Sequence, residues 1–78
     1  MPAPLRVGFA GYGYWGPNIL RNLDRLANAE VVAACDTHPG NLAKLKAAYP
    51  HIATTDSLDV LLSDYDLDAV VVPPSAPT

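Results

Sequence analysis

The alternation of hydrophobic and polar positions predicts strands separated by helices. Short apolar runs, in part β-branched, predict four strands: Leu5–Ala10, Ala29–Asp36, His51–Thr55 and Leu67–Val72. Apolar residues at helical spacing between these runs predict three helices, whose buried stripes would be Ile19, Leu20, Leu23 and Leu26, then Leu42, Leu45 and Tyr49, then Leu58, Leu61 and Leu62. This order is typical of an α/β domain with a parallel sheet and right-handed crossovers.

Prolines and a polar cap mark the ends of the predicted helices. Pro17 lies in the first turn of the first helix, where a missing N–H is tolerated, and Pro39 lies near the start of the second helix. Pro50 ends that second helix, and either Asp56 or Ser57 caps the third. The helices therefore have definite starts, whereas their exact ends are less well determined by the sequence.

Composition narrows the class of protein. The 78 residues allow one small domain, and 50% hydrophobic with 17% charged residues is a globular composition. The net charge is -3 and the five basic residues form no run, which argues against a nucleic-acid or basic membrane surface. No stretch has the length of a membrane span or the pattern of a signal peptide, so we expect a cytoplasmic protein. The single cysteine, Cys35, is interpreted as a small buried hydrophobic residue.

Three glycines follow the first predicted strand as G-x-G-x-x-G, in "GYGYWG". In a strand-to-helix turn, the first glycine (Gly11) permits the tight turn and the second (Gly13) leaves room for a pyrophosphate. The third (Gly16) lets the helix pack close to the strand. Amides of the first helical turn, around Tyr14 and Trp15, would face phosphate oxygens, and the helix dipole favours their charge.

A carboxylate occurs where a dinucleotide site needs one. Asp36 ends the second predicted strand, 20 residues after Gly16, and would accept hydrogen bonds from the adenosine ribose. It would also repel the 2′-phosphate of NADP, and no arginine or lysine follows at once in "THP". The sequence therefore favours NAD(H) over NADP(H).

Each of these residues also has a simpler structural interpretation. The glycines could mark an ordinary turn, Asp36 could cap the next helix, and the Tyr12, Tyr14 and Trp15 side chains could serve packing alone. His38 and His51 are interpreted as solvated loop residues. The aspartates of the second half are interpreted as a solvated face: Asp56, Asp59, Asp64, Asp66 and Asp68.

The stretches "VGFAGYGYWGPNILRNL", "VVAACD" and "LDAVVV" followed by prolines resemble the N-terminal part of Gfo/Idh/MocA oxidoreductases. The resemblance implies a Rossmann-like sheet ordered 3-2-1-4 with helices on both faces. It also implies hydride transfer between NAD(P) and a sugar or polyol carbon, with inositol-type or nucleotide-sugar substrates. The expected cofactor-binding residues are Gly11, Tyr12, Gly13, Tyr14, Trp15, Gly16, Asp36, Thr37 and Pro73.

The chain departs from the family pattern near its end. The Ala-Thr that usually precedes the proline, and the histidine that follows it, are missing from "VVVPPSAPT". The family's Glu-Lys-Pro motif and its substrate domain come later than residue 78. We therefore expect a truncated, partial Rossmann domain of marginal stability, with an open edge at the fourth strand and no catalytic residue of its own.

Two other functions are compatible with these residues. One is a non-catalytic nucleotide-binding or interaction module that joins a partner, or further copies of itself, through the open edge. The other is a different α/β enzyme, such as a nucleotide-sugar epimerase or a methyltransferase, although the Tyr-x-x-x-Lys pair of short-chain epimerases is absent.

Overall fold

A computed structural model describes residues 3–13 and 15–74 of the chain. Strands and helices alternate as predicted, in the order β1 (Leu5–Ala10), α1 (Gly16–Asp24), β2 (Ala29–Cys35), α2 (Pro39–Ala48), β3 (Ala53–Thr55), α3 (Leu58–Asp64) and β4 (Ala69–Val71). Over the described residues, none of these helices has the length and apolar character needed to span a bilayer.

The four strands form one parallel sheet in the order β3-β2-β1-β4, which confirms the predicted order. Strand β1 pairs with β2 on one side and β4 on the other, and its pairing with β2 shifts register between Val7 and Gly8. Because β4 follows β3 in the chain but lies at the opposite edge, the chain changes direction beside β1. Ligands of open α/β sheets bind at such a point, outside the carboxyl ends of the strands.

The two faces of the sheet carry separate cores. Successive strand residues point to opposite faces, so Ala34 joins one core while Ala33 and Cys35 join the other. The first core is covered by α1 and α2, which bury Leu20 and Leu45 completely. The second core is covered by α3 through the fully buried Leu61. Helices therefore lie on both faces, as predicted.

The third helix buries less than its sequence pattern predicts. Leu61 is fully buried, but Leu58 and Leu62 are 48% and 55% exposed, so the expectation that all three share a buried stripe is wrong. A single helix of seven residues on this face meets the sheet along a narrow line, and its flanking positions point to solvent. Leu26 is likewise 50% exposed, because α1 ends at Asp24 before the helical stripe reaches it.

The last two strands are shorter than predicted. His51 and Ile52 precede β3 because the Ile52 N–H donates to the Tyr49 oxygen (3.1 Å), so the chain is still turning after α2. Strand β4 begins at Ala69, after the predicted start at Leu67, and lies at the sheet edge as expected. At this edge Val72 is 71% exposed, whereas Val70 and Val71 are half-buried.

Candidate functional site

The glycine loop begins with a backbone shape that requires glycine. Gly11 has φ = +103°, a region that side chains with a Cβ rarely adopt. Its N–H donates to the Cys35 oxygen at 2.9 Å, so the chain leaving β1 turns across the end of β2. The first glycine therefore permits the tight turn, in the role predicted for it.

Gly16 allows α1 to start against the loop. A Cβ at this position would lie 2.7 Å from the Gly11 backbone oxygen and 3.5 Å from the Phe9 ring. A backbone atom cannot move aside as a flexible side chain can. The third glycine thus has the predicted packing role.

The fold does not itself require a glycine at Gly13. Its φ is not in the left-handed region, and a Cβ there would meet Asn41 Nδ2 at 3.7 Å, an ordinary contact. Because Gly13 also lines the neighbouring groove, its bare backbone leaves space there for a ligand.

The Asp36 carboxylate holds this loop in place. Only 6% of the residue is exposed. One carboxylate oxygen accepts the Tyr12 N–H and the other accepts the His38 N–H, each at 2.8 Å. Burial acts to raise the pKa of Asp36, but the His38 and Tyr12 amides, the Asn41 side chain and the His38 charge outweigh it, so the pKa is lowered. The carboxylate is therefore ionised at neutral pH.

A groove of about 460 Å³ lies at the carboxyl ends of β1, β2 and β4. Its lining includes six of the predicted cofactor-binding residues: Gly11, Gly13, Gly16, Asp36, Thr37 and Pro73. The structure therefore places the glycine loop, the carboxylate and the segment after β4 around one space.

Tyr12 does not line the groove. Its side chain is 8% exposed and packs edge-on to Tyr49, with ring centroids 6.4 Å apart. Burial raises its pKa, with a smaller contribution from Tyr49. Because its N–H is donated to Asp36 and its ring is buried, Tyr12 supports the loop from the core, and its contact with a phosphate stays a prediction.

The two other aromatic residues of the loop have different outcomes. Trp15 is the N-cap residue of α1 and is 41% exposed, so its side chain is not a core residue. The prediction for Tyr14 falls outside the described residues.

Six lining residues are not among the predicted cofactor-binding residues: Ala10, Cys35, His38, Asn41, Leu58 and Pro74. His38 is solvated, as predicted, with a side chain 79% exposed, yet its Nδ1 lies 3.5 Å from an Asp36 oxygen. Asn41 lies in the first turn of α2, and its side chain contributes to the lowered pKa of Asp36. The signal that could have identified both is their position directly after the carboxyl end of a central strand.

Neither metal nor thiol chemistry is indicated at the groove. Among the described residues, no group of three or more His, Cys, Asp or Glu side chains could hold a metal ion. Cys35 is buried, as predicted, and burial together with the nearby Asp36 charge raises its pKa, which keeps the thiol protonated.

The groove offers two groups that a nucleotide diphosphate can use. The first-turn N–H groups of α1 have no partner within the helix and can bind an anion, except at Pro17, which lacks one. Beside them, an ionised carboxylate can accept hydrogen bonds from a ribose diol. The Tyr12 N–H donates to Asp36 at 2.8 Å, so the carboxylate and the glycine loop are in direct contact. A nucleotide site requires these two features to be close together.

Solved structures share this fold. The match to myo-inositol 2-dehydrogenase from Lactobacillus plantarum has a TM-score of 0.81, at 24% identity over 95% of this chain. The match to the WlbA dehydrogenase from Bordetella pertussis, in complex with NADH and UDP-GlcNAcA, has a TM-score of 0.82, at 29% identity over 92%. Scyllo-inositol dehydrogenase from Lactobacillus casei, with bound NAD(H) and scyllo-inositol, matches at 0.80, with 22% identity over 92%.

This chain corresponds to 22% of the length of each of those three proteins. No curated protein matches it. The model of the Gfo/Idh/MocA oxidoreductase family, NAD-binding Rossmann fold, matches residues 5–77. That match spans the sheet, the glycine loop and the carboxylate together, and the chain belongs to the Gfo/Idh/MocA oxidoreductase family.

Proposed function

We propose that these residues bind NAD(H), as the dinucleotide-binding part of an oxidoreductase that acts on a sugar or polyol. The observation that carries the proposal is the 2.8 Å hydrogen bond from the Tyr12 N–H to Asp36, which joins the carboxylate to the glycine loop. When bound, the nicotinamide would supply the hydride acceptor or donor. The named substrates of the structural neighbours, inositols and a nucleotide-linked sugar, support the substrate class.

The charges around the groove support NAD(H) over NADP(H). The lowered pKa of Asp36 keeps its carboxylate ionised, which opposes a 2′-phosphate. Among the described residues, the groove lining contains no lysine or arginine to offset that charge, and His38 is its one basic side chain.

We further propose that the described residues supply cofactor binding without the catalytic step. Their titratable groups at the groove are Asp36, which is committed to backbone amides, Cys35, which is protonated, and the solvated His38. None of these is a free, positioned acid or base for a substrate hydroxyl. Hydride transfer would then depend on residues outside this set.

Calorimetric titration of the purified chain with NADH and NADPH tests the proposal. The informative variant is Gly13→Ala, because the fold accommodates a Cβ there while the groove loses space. The matched control is Gly40→Ala, where a Cβ meets nothing within 4 Å and which lies outside the groove lining.

We expect the wild type and Gly40→Ala to bind NADH more tightly than NADPH. We expect Gly13→Ala to bind NADH about tenfold more weakly, which corresponds to a loss of about 1.4 kcal/mol in binding free energy. Its urea midpoint should not change. Absence of NADH binding by the folded wild type, at millimolar cofactor, would overturn the proposal. Equal NADH affinity for Gly13→Ala would overturn the assignment of the glycine loop.

A further inference from the structure

Three aromatic rings form a row that starts at the glycine loop: Tyr12, Tyr49 and His51. The Tyr12 and Tyr49 ring centroids are 6.4 Å apart at an interplanar angle of 84°. The Tyr49 and His51 centroids are 6.1 Å apart at an angle of 69°. Both pairs have the edge-to-face geometry that aromatic rings prefer. The row therefore connects the loop at the carboxyl end of β1 to the turn that follows α2.

The outer end of this row is fixed by polar contacts. His51 Nε2 lies 3.1 Å from a carboxylate oxygen of Asp24, the last residue of α1. The Tyr49 N–H donates to the Leu45 oxygen at 2.9 Å, at the end of α2. The Tyr49 ring is thus held through its own backbone by α2 and, at its outer side, by a histidine that is bound to α1.

The inner end of the row is the residue that joins the glycine loop to Asp36. The Tyr12 ring is buried, and its N–H donates to the Asp36 carboxylate at 2.8 Å. Two torsions join a tyrosine ring to its own backbone, and the first prefers staggered values. A ring that is held in the core therefore restricts the direction in which the N–H of the same residue points. Because protein interiors are close-packed, the loss of the neighbouring Tyr49 ring would be felt at this amide.

We propose that Tyr49 is a positioning residue for the glycine loop. Its ring keeps the Tyr12 ring in the core, which keeps the Tyr12 N–H on Asp36 and the loop in the shape that a diphosphate would bind. Among the described residues, Tyr49 is not part of the groove lining, so its effect passes through Tyr12. This assignment rests on the proposed function, because it concerns the loop that NADH would contact.

Three variants of the full chain test the assignment. Tyr49→Leu removes the ring and keeps an apolar side chain, whereas Tyr49→Phe keeps the ring and removes the hydroxyl. Val31→Ala is the matched control for general destabilisation, because Val31 is a buried residue of the same core that carries no ring. Urea unfolding identifies conditions under which all compared chains are folded. If Tyr49→Leu does not fold, Tyr49→Met replaces it, because the flexible methionine side chain fills irregular gaps.

Calorimetric titration with NADH measures the effect on binding. We expect Tyr49→Leu to bind NADH about fivefold more weakly, the change in affinity that corresponds to the loss of one aromatic pair. Tyr49→Phe and Val31→Ala should both stay within about twofold of the wild-type affinity.

Hydrogen exchange of the Tyr12 amide gives a second readout that needs no cofactor. We expect Tyr49→Leu to lower the protection of this amide more than that of the amides of β1 and β2, because its hydrogen bond to Asp36 is loosened locally. A general loss of stability, as expected for Val31→Ala, lowers the protection of all these amides together.

A double-mutant cycle with Tyr12→Leu shows whether the effect passes through Tyr12. If it does, Tyr49→Leu should change NADH affinity by less than about twofold in the Tyr12→Leu background. An equal loss in both backgrounds, or wild-type affinity and wild-type Tyr12 protection in Tyr49→Leu, would overturn the assignment and leave the proposed function intact. Failure of the folded wild type to bind NADH would overturn the proposed function, and the exchange of the Tyr12 amide would then decide the assignment by itself.

Discussion

The two ends of the sheet use the same hydrogen bond in different surroundings. At the carboxyl end, Asp36 accepts the Tyr12 N–H at 2.8 Å. At the amino end, Asp68 accepts the Arg6 N–H, also at 2.8 Å. Asp36 is 6% exposed and has a lowered pKa, whereas Asp68 is exposed. The bond length alone therefore does not distinguish the functional candidate from a surface contact; the burial does.

The difference in burial determines what each carboxylate can do. Water can replace Asp68 as the acceptor of the Arg6 N–H, because this hydrogen bond is exposed. At the amino end, the hydrogen bond between β1 and the segment before β4 is therefore dispensable. The Tyr12 hydrogen bond is buried and the His38 hydrogen bond is partly buried, so water replaces Asp36 less readily than it replaces Asp68. A buried donor without a partner costs about 1–3 kcal/mol.

The strongest test of this comparison is alanine at each carboxylate. We expect Asp36→Ala to lower the free energy of unfolding by about 3 kcal/mol, because two backbone N–H groups lose their acceptor. We expect Asp68→Ala to lower it by about 1 kcal/mol or less. Urea denaturation followed by circular dichroism measures both. Equal losses of unfolding free energy in the two variants would show that burial does not make the carboxyl end more dependent on its carboxylate than the amino end.

If Asp36→Ala does not fold, Asp36→Asn provides the same comparison at smaller amplitude. Its amide oxygen can accept one of the two backbone bonds, and its NH₂ group faces the other donor. We expect Asp36→Asn to lower the free energy of unfolding by less than Asp36→Ala and by more than Asp68→Ala.

The second test asks how closely the carboxyl end is packed. We expect Gly16→Ala to cost about 2 kcal/mol, because its Cβ would lie 2.7 Å from the Gly11 oxygen. Gly40→Ala should be neutral or stabilising by up to about 1 kcal/mol, since alanine favours a helix and the site is open. The difference in thermal midpoint between the two variants measures the effect. Similar midpoints would mean that α1 can shift away from the loop.

The third test uses pH. The pKa of Asp36 is lowered in the folded state, so its contribution to stability is full above the unfolded value of about 4. That contribution is lost as the pH falls through the folded pKa. We therefore expect the stability difference between the wild type and Asp36→Asn to shrink on acidification below about pH 4. A constant difference down to the acid unfolding of both chains would contradict the hydrogen-bonded, ionised state of Asp36.

The smallest effect is expected at the amino end. Arg6 Nε donates to the Asp66 oxygen at 2.6 Å in an exposed setting. We expect Arg6→Gln to lower the free energy of unfolding by about 0.5 kcal/mol, because water replaces the lost bond. A loss comparable to that of Asp36→Ala, in the same urea assay, would mean that this end carries more of the stability than its exposure indicates.

The sequence predicted the features that local chemistry determines. The alternation of strands and helices and the roles of Gly11 and Gly16 follow from apolar runs and from backbone geometry that residue types reveal directly, whereas the strand order was implied by the family resemblance. Asp36 was found because it ends a strand at a fixed distance from the glycines. Each of these features depends on residues that are close in sequence, or on the general rule that ligands bind at the carboxyl ends of parallel strands.

Features that depend on tertiary packing were predicted less well. The leucines of the third helix look like one buried face in the sequence, but only Leu61 is buried, because a single short helix covers this face of the sheet. Tyr12 belongs to a motif associated with ligands, yet its ring is buried and packs edge-on against Tyr49, the residue that follows α2. Asn41 was not predicted, because its place in the groove depends on how closely α2 approaches the glycine loop.

The position of Trp15 has a practical consequence. It is the only tryptophan of the chain, it caps α1 between two groove-lining glycines, and it is 41% exposed. Indole emission therefore arises from one point beside the groove and can be followed without any label. A change in that emission on addition of a nucleotide, compared with a free tryptophan control, would report binding near this loop, so the protein carries its own optical probe.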